Sequence, residues 1–305
     1  MSLLGKSLAA IFAVLLLATL VMALLRRYKP AEDWRELILR IRTWWIIVIF
    51  ISGLLLTPYW LALAGFALIS GLALKEYLAL VSVSDADRLP IMWMFIAIPV
   101  QYCLAGIGWF GPFIIFIPVY LFLFIPTQMV LTGETHGFLD RAARMHWGMM
   151  ATVFAFSHVA FLRMLPVDDE LAGALWVLFL VGLTELNDVA QYLWGKAMGR
   201  IKVTPKVSPN KTLAGLVGGI ISTSLVAVLL GPIITPMSWP MALLAGVIIG
   251  ITGFCGDVVM SAIKRDIGVK DTGTLLPGHG GVLDRLDSLL FTAPLFFHFI
   301  HYFYY

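Results

Sequence analysis

The sequence predicts an all-α polytopic membrane protein, with about ten transmembrane helices and a polar active-site cavity at the cytoplasmic side. Three observations predict it. Of 305 residues, 60% are apolar and only 13% are charged, where an ordinary soluble domain carries about a quarter charged residues. Mean hydropathy is +0.93. Apolar stretches of the ~18 or more residues that cross a ~30 Å hydrocarbon core as a helix recur from end to end.

In chain order the spans are expected near 7–25, 43–58, 59–81, 90–108, 110–131, 146–165, 171–194, 213–231, 240–262 and 286–304. The first lacks a small-residue cleavage signal and leads into Arg26 and Arg27, so it reads as a retained span. The second is short, and its boundary with the third at Thr57-Pro58 is soft. Between the first two, "RRYKPAEDWRELILRIRTWW" sets Trp34, Leu37, Ile38 and Ile41 at helical spacing, with Arg35, Arg40 and Arg42 between them. A short amphipathic helix near 28–42, lying in the headgroup layer, is the expectation. Trp44, Trp60, Trp109, Trp147 and Tyr192 near span ends read as interfacial anchors. Cys103 and Cys255 both sit in apolar context, so no disulfide framework is expected.

Basic residues accumulate in short cytoplasmic loops and so set the orientation. With 26–42 inside, strict alternation puts 82–89, 132–145, 195–212 and 263–285 inside too. All but two of the 21 Lys and Arg, Lys6 and Arg163, then fall on that side. The opposite loops, "GWFGP", the acidic "VDDE" at 167–170 and "LGPIITPMS", carry no cation. The formal charge of +3 is spread over juxtamembrane loops, and no nucleic-acid partner is expected from it. The chain divides into N-terminal transmembrane helices with the amphipathic segment, 1–140, and a region 141–305 that carries the chemistry.

Ionisable groups inside spans cost at least ~2.5–3.5 kcal/mol at the bilayer centre, so they usually have a task. They fall in three places. In the seventh span Glu185, Asp188 and Tyr192 share one helical face; in the ninth, Asp257, Ser261, Lys264 and Arg265 share another. At the start of the tenth stand Asp284, Asp287 and Ser288. Each alone has a plain reading: a carboxylate near a helix end is ordinarily solvated or ion-paired, and Asp284 would suit the dipole of a helix N-terminus. All three faces converging on one side favour a site.

Carboxylates on separate helices at one depth offer hard oxygen ligands that suit Mg²⁺; no Cys/His set has zinc spacing. Lys264, Arg265, Lys270 and Arg285 add positive charge beside them, and "PGHGG" at 277–281 lets backbone N–H groups approach a ligand closely. A second loop, "KVSPNKT", presents Lys206, Ser208, Lys211 and Thr212 just before the eighth span; alone it is as well read as an N-cap and a basic loop. Metal, cations and glycine together suit a polyphosphate substrate. A transporter also combines many spans with buried carboxylates, but its sites lie at mid-membrane on broken helices, often within inverted repeats. Here the polar faces lie at one end, and no repeat is visible.

"GDVVMSAIKRDIGVKDTGTLLPGHGGVLDRLDS" resembles the signature of the phosphatidate cytidylyltransferases, the CDP-diacylglycerol synthases, at Ser261, Lys264, Arg265, Lys270, Asp271, Pro277, His279, Gly280, Gly281, Asp284, Arg285 and Asp287. Upstream, "NDVAQYLWGKAMGRIKVTPKVSPNKTLAG" is similar to the same family's second region, with Asp188, Tyr192, Gly195, Gly199, Pro205, Ser208, Pro209, Lys211 and Thr212 in register. "KEY" at 75–77 resembles an early family Glu far more weakly. Strong resemblance covers roughly the last 120 residues. Val189, Gln191 and Ala214 depart from the residues usual in the family.

The resemblance implies transfer of a cytidylyl group from CTP to phosphatidic acid at the surface of a lipid bilayer, giving CDP-diacylglycerol and pyrophosphate in phospholipid biosynthesis. It implies Mg²⁺, leaves room for a second cation such as K⁺, and allows a homodimer. Candidate metal ligands are Asp257, Asp284 and Asp287. Candidate catalytic residues are Lys264, Arg265, Asp271, His279 and Arg285. Candidate substrate-binding residues are Asp188, Tyr192, Ser208, Lys211, Thr212, Ser261, Lys270, Gly280 and Gly281. Another lipid phosphate as acceptor stays open.

Overall fold

The computed structural model describes residues 2–305 apart from 30–32, 82–83, 85–86, 166–169, 274, 276–277 and 279. Its elements are α1 (Leu3–Tyr28), α2 (Arg35–Leu56), α3 (Tyr59–Leu80), α4 (Arg88–Gly106), α5 (Phe110–Leu131), α6 (Phe138–Met164), α7 (Glu170–Met198), α8 (Leu213–Ile234), α9 (Trp239–Ile267), α10 (Leu283–Leu286) and α11 (Leu289–Tyr304). Among the described residues α1 to α9 are nine helices long and apolar enough to cross a membrane, and the protein is an all-α multi-pass membrane protein. Residues 167–169 of the expected acidic loop lie outside the described residues.

Two expectations change. The basic stretch expected as a separate in-plane helix is, from Arg35 onward, the start of α2 itself. No Gly or Pro interrupts the chain between Arg35 and Ser52, so one helix carries the arginines into the span. The tenth apolar run begins later than expected, because Asp287 and Ser288 form a turn between α10 and the 16-residue α11.

Hydrocarbon offers polar groups no partner, so those inside the bundle must pair with each other. Ser70 on α3 donates to the Thr152 carbonyl at 2.8 Å and shares a 2.6 Å hydrogen bond with the Tyr102 hydroxyl of α4. Gln101 donates to the Phe113 carbonyl at 3.2 Å and to Ser157 Oγ at 3.1 Å. These bonds tie α3, α4 and α5 to α6, the most buried of the spans. Each of α5 and α6 holds a π-helical stretch, Phe116–Leu121 and Met150–Ala155; Pro118 in the first has no N–H for the ordinary ladder. Arg163, one of the two cations expected on the far side, is buried and donates to the Thr57 carbonyl at 3.4 Å.

The helices that carry the polar faces, α7, α8, α9 and α11, pack together. Asn187, fully buried on α7, donates to the Gly250 carbonyl of α9 at 3.3 Å and accepts from Thr223 of α8 at 3.3 Å. Thr184 and Thr292 share a 3.1 Å bond between α7 and α11. The three-helix junction at Asn187 sits next in sequence to Asp188, so it holds the base of the polar region. Interhelical hydrogen bonds in membranes average ~0.6 kcal/mol. Asn187→Leu is therefore expected to cost about 1 kcal/mol, read as a fall of a few degrees in the thermal unfolding midpoint in detergent; an unchanged midpoint would show that the junction adds no net stability.

Candidate active site

One cavity of ≈ 390 Å³ gathers most of the sequence-predicted residues at one end of the bundle. From α7 come Asp188 and Tyr192; from the loop before α8, Lys211; from α9, Asp257, Ser261, Lys264 and Arg265. Lys270 and Asp271 reach it from the loop after α9, and Arg285 and Asp287 from α10 and the turn that follows. The helical spacings explain the grouping, since residues at i, i+4 and i+7 lie on one face of a rigid rod.

Inside the cavity, cation and carboxylate neutralise one another in pairs. Lys211 forms an ion pair with Asp257, whose Oδ1 also accepts from Ser261 at 3.3 Å. Lys264 lies 2.9 Å from Asp284 Oδ1 and 3.9 Å from Asp287 Oδ2. Ser288 Oγ donates to Asp188 Oδ2 at 2.9 Å, while Asp188 Oδ1 is buried without a hydrogen-bond partner. Among the described residues neither Arg285 nor Lys270 makes an ion pair, and Arg285 Nε is buried without a hydrogen-bond partner. Both line the cavity.

Asp284, expected as a metal ligand, is placed outside the cavity lining and bonds the neighbouring loop. Its Oδ2 accepts from the Thr272 N–H at 2.7 Å, the Thr272 hydroxyl at 2.9 Å and the Gly281 N–H at 2.9 Å. Oδ2 thus clasps the loop at Thr272 and Gly281 while Oδ1 is held by Lys264 of α9, and Asp284 does not line the cavity. Gly280 is necessary to this clasp: its φ is +81°, and a Cβ there would stand 2.4 Å from Asp284 Oδ2. Gly280 and Gly281 thus shape the loop.

Thr212, also expected at the substrate, is instead the N-cap of α8; it is 3% exposed and its Oγ1 accepts from the Gly215 N–H at 3.1 Å. Ser208 lies outside the cavity, in a turn where its N–H donates to the Thr204 carbonyl at 2.9 Å. Glu185 does not line the cavity either. His279 lies outside the described residues. Glu76 of α3 is the residue that local reading underweighted. Its Oε2 accepts from the Leu283 N–H at 3.0 Å, across 207 residues, so the N-terminal helices also fasten the loop.

Among the described residues no three His, Cys, Asp or Glu side chains converge closely enough to cage an ion. A caging set is not required for Mg²⁺, which is held by one or two carboxylates plus substrate phosphates and keeps several waters. Asp188, with one oxygen buried and unpartnered, and Asp257 and Asp287 beside it supply the hard oxygens that such an ion takes. The donor set fits.

A model of the cytidylyltransferase family matches residues 38–303. A protein of Escherichia coli strain K12 called Uncharacterized protein YnbB is 55% identical over 299 residues, 98% of this chain and 99% of that one. The phosphatidate cytidylyltransferases of Staphylococcus saprophyticus and of Staphylococcus aureus strain COL are 36% and 37% identical over 167 and 168 residues. Those two matches take in 54% of this chain and 61% of each relative, so they span less than two thirds of the relatives' length.

Burial alone would raise the Asp284 carboxyl, but the Gly281 N–H, the Lys264 ammonium and the Thr272 N–H together hold it below the usual carboxylate range. A depressed carboxylate contributes stability that is fully present above its unfolded pKa of ~3.9 and is lost as pH falls through the folded value. Protection of the Thr272 and Gly281 amides against hydrogen exchange is thus expected to hold above about pH 5 and to fall at lower pH in the wild type. Asp284→Asn should show weakened protection already at neutral pH and a flatter acid limb. Identical profiles for the two proteins would remove the clasp.

Proposed function

The chain belongs to the cytidylyltransferase family, and from that premise we propose that it transfers a cytidylyl group from CTP to phosphatidic acid, forming CDP-diacylglycerol and pyrophosphate. The observation that carries this reading is a single cavity in which, among the described residues, Arg285 and Lys270 stand without ion pairs beside Asp188, Asp257 and Asp287. A triphosphate with its cation is the ligand such a mixture balances. The phosphatidate acceptor is supported by the names of the staphylococcal relatives. The loop charges support a mouth on the cytoplasmic side, where nucleotide and lipid headgroup meet.

In this reading a phosphate oxygen of the lipid attacks the α-phosphorus of CTP. A new P–O bond forms, the α–β P–O bond breaks, and its electron pair leaves with pyrophosphate. The nucleophile is already ionised at neutral pH, so no strong base is needed; the task is to hold two anions that repel and to neutralise charge on the leaving group. Arg285 and Lys270 bind phosphate oxygens, with Lys264 and Arg265 lending positive potential along α9. Lys211, which lines the same cavity, faces the triphosphate there. Asp257, with Asp188 and Asp287, would hold Mg²⁺, which when bound withdraws charge from the phosphates. Asp284 contributes by fixing the loop that carries Lys270 and Asp271.

Purified protein in lipid nanodiscs, given labelled CTP, Mg²⁺ and a panel of lipid phosphates, is expected to release pyrophosphate and form the CDP-lipid fastest with phosphatidic acid. No turnover on any lipid phosphate would overturn the reaction, and a different best substrate would overturn the acceptor. Arg285→Ala is expected to lower kcat/KM by about 10²–10³, the scale of one lost charge-stabilising group. Asp257→Asn should raise the Mg²⁺ concentration for half-maximal rate by about 10-fold or more. A turnover near wild type in either variant would remove that residue's assignment.

A further inference from the structure

Gln191 sits on α7 one turn beyond Asp188. Its Oε1 accepts from Lys211 Nζ at 3.0 Å. The side chain is 4% exposed, and α8 makes room for it: a Cβ on Gly219 would lie 2.5 Å from Gln191 Cγ. Yet the other half of the amide, Nε2, is buried with no hydrogen-bond partner among the described residues. An unpaired polar group in the interior is costly, and Met or Leu would fill the same volume without that cost. The oxygen is what this carboxamide contributes.

The ammonium it holds has three hydrogens. Gln191 Oε1 and the Asp257 carboxylate account for two, and the Phe254 ring lies with its centroid 5.7 Å from Nζ. One N–H is left for the cavity that Lys211 lines. Asp257 cancels charge as it binds, whereas a neutral amide fixes the ammonium in place and leaves its charge for a ligand. We propose that Gln191 is a positioning residue that acts through Lys211, presenting its ammonium to the phosphate chain of a bound nucleoside triphosphate and so setting the affinity of the site for that nucleotide. The inference rests on the reading of the cavity as a CTP site.

The test is direct binding of CTP with Mg²⁺ to the full chain in nanodiscs, alongside steady-state kinetics. Gln191→Met, similar in volume, is expected to raise both Kd and KM for CTP by about tenfold, the scale of one hydrogen bond to a charged group. The kcat at saturating CTP, the KM for the lipid phosphate and the unfolding midpoint should stay near wild type. Gln191→Leu, which also lacks the acceptor but packs differently, should give the same shift should the Met variant fold poorly. In a Lys211→Met background Gln191→Met should weaken CTP binding no further, because its partner is already gone. A folded Gln191→Met or Gln191→Leu protein with unchanged Kd for CTP, or an equal loss in both backgrounds, overturns the positioning role and leaves the CTP site standing. A wild-type chain that binds no CTP overturns both.

Discussion

A carboxylate at the end of a membrane helix has water on one side only, and that constraint organises this protein. Left unpaired against the bundle, each of Asp257, Asp284 and Asp287 would carry a desolvation cost of several kcal/mol. Lys264 stands between Asp284 and Asp287, and Lys211 answers Asp257. The pairings join elements that are remote in sequence, and the clasp at Asp284 fastens Thr272 and Gly281 beside them. The carboxylates outnumber the cations that pair with them, while among the described residues Arg285 and Lys270 line the cavity with no ion pair within 4 Å. The surplus of each sign is what gives a charged ligand and its counter-ion somewhere to go.

Beneath that charged end the bundle uses neutral hydrogen bonds. Asn187 ties α7 to α8 and α9, and Ser70, Tyr102, Gln101 and Thr152 tie the N-terminal helices to α6. Such bonds add little stability each, because a helix alone in lipid also finds partners. Their directionality sets how the helices are rotated about their axes. Rotation decides whether Asp188 and Asp257 face each other.

Much of this was legible from the residues alone. The spans followed from runs of apolar residues, and the polar faces of α7 and α9 followed from spacing, since a helix is stiff enough for i, i+4 and i+7 to predict neighbours. Legibility ended where the backbone left the helix. Asp284 has its partners at Thr272 and Gly281, which a turn of unknown shape had to bring back, and its place before a helix made a dipole-favoured carboxylate the natural reading. Glu76 reaches Leu283 across most of the chain, a contact no local pattern encodes. Thr212 was ambiguous between cap and ligand because one hydroxyl serves either. Periodicity in the basic stretch before Trp44 was real, but period alone does not tell an in-plane helix from the first turns of a span.

The brevity of α11 has a consequence for the surrounding lipid. Sixteen residues of helix reach only ~24 Å, several ångströms less than a typical hydrocarbon layer. A mismatch of that size is met by thinning of the adjacent leaflet or by drawing polar groups inward. Asp287, in the turn where α11 begins, lines the cavity, so a dimple in the membrane there would lower headgroups toward the charged residues.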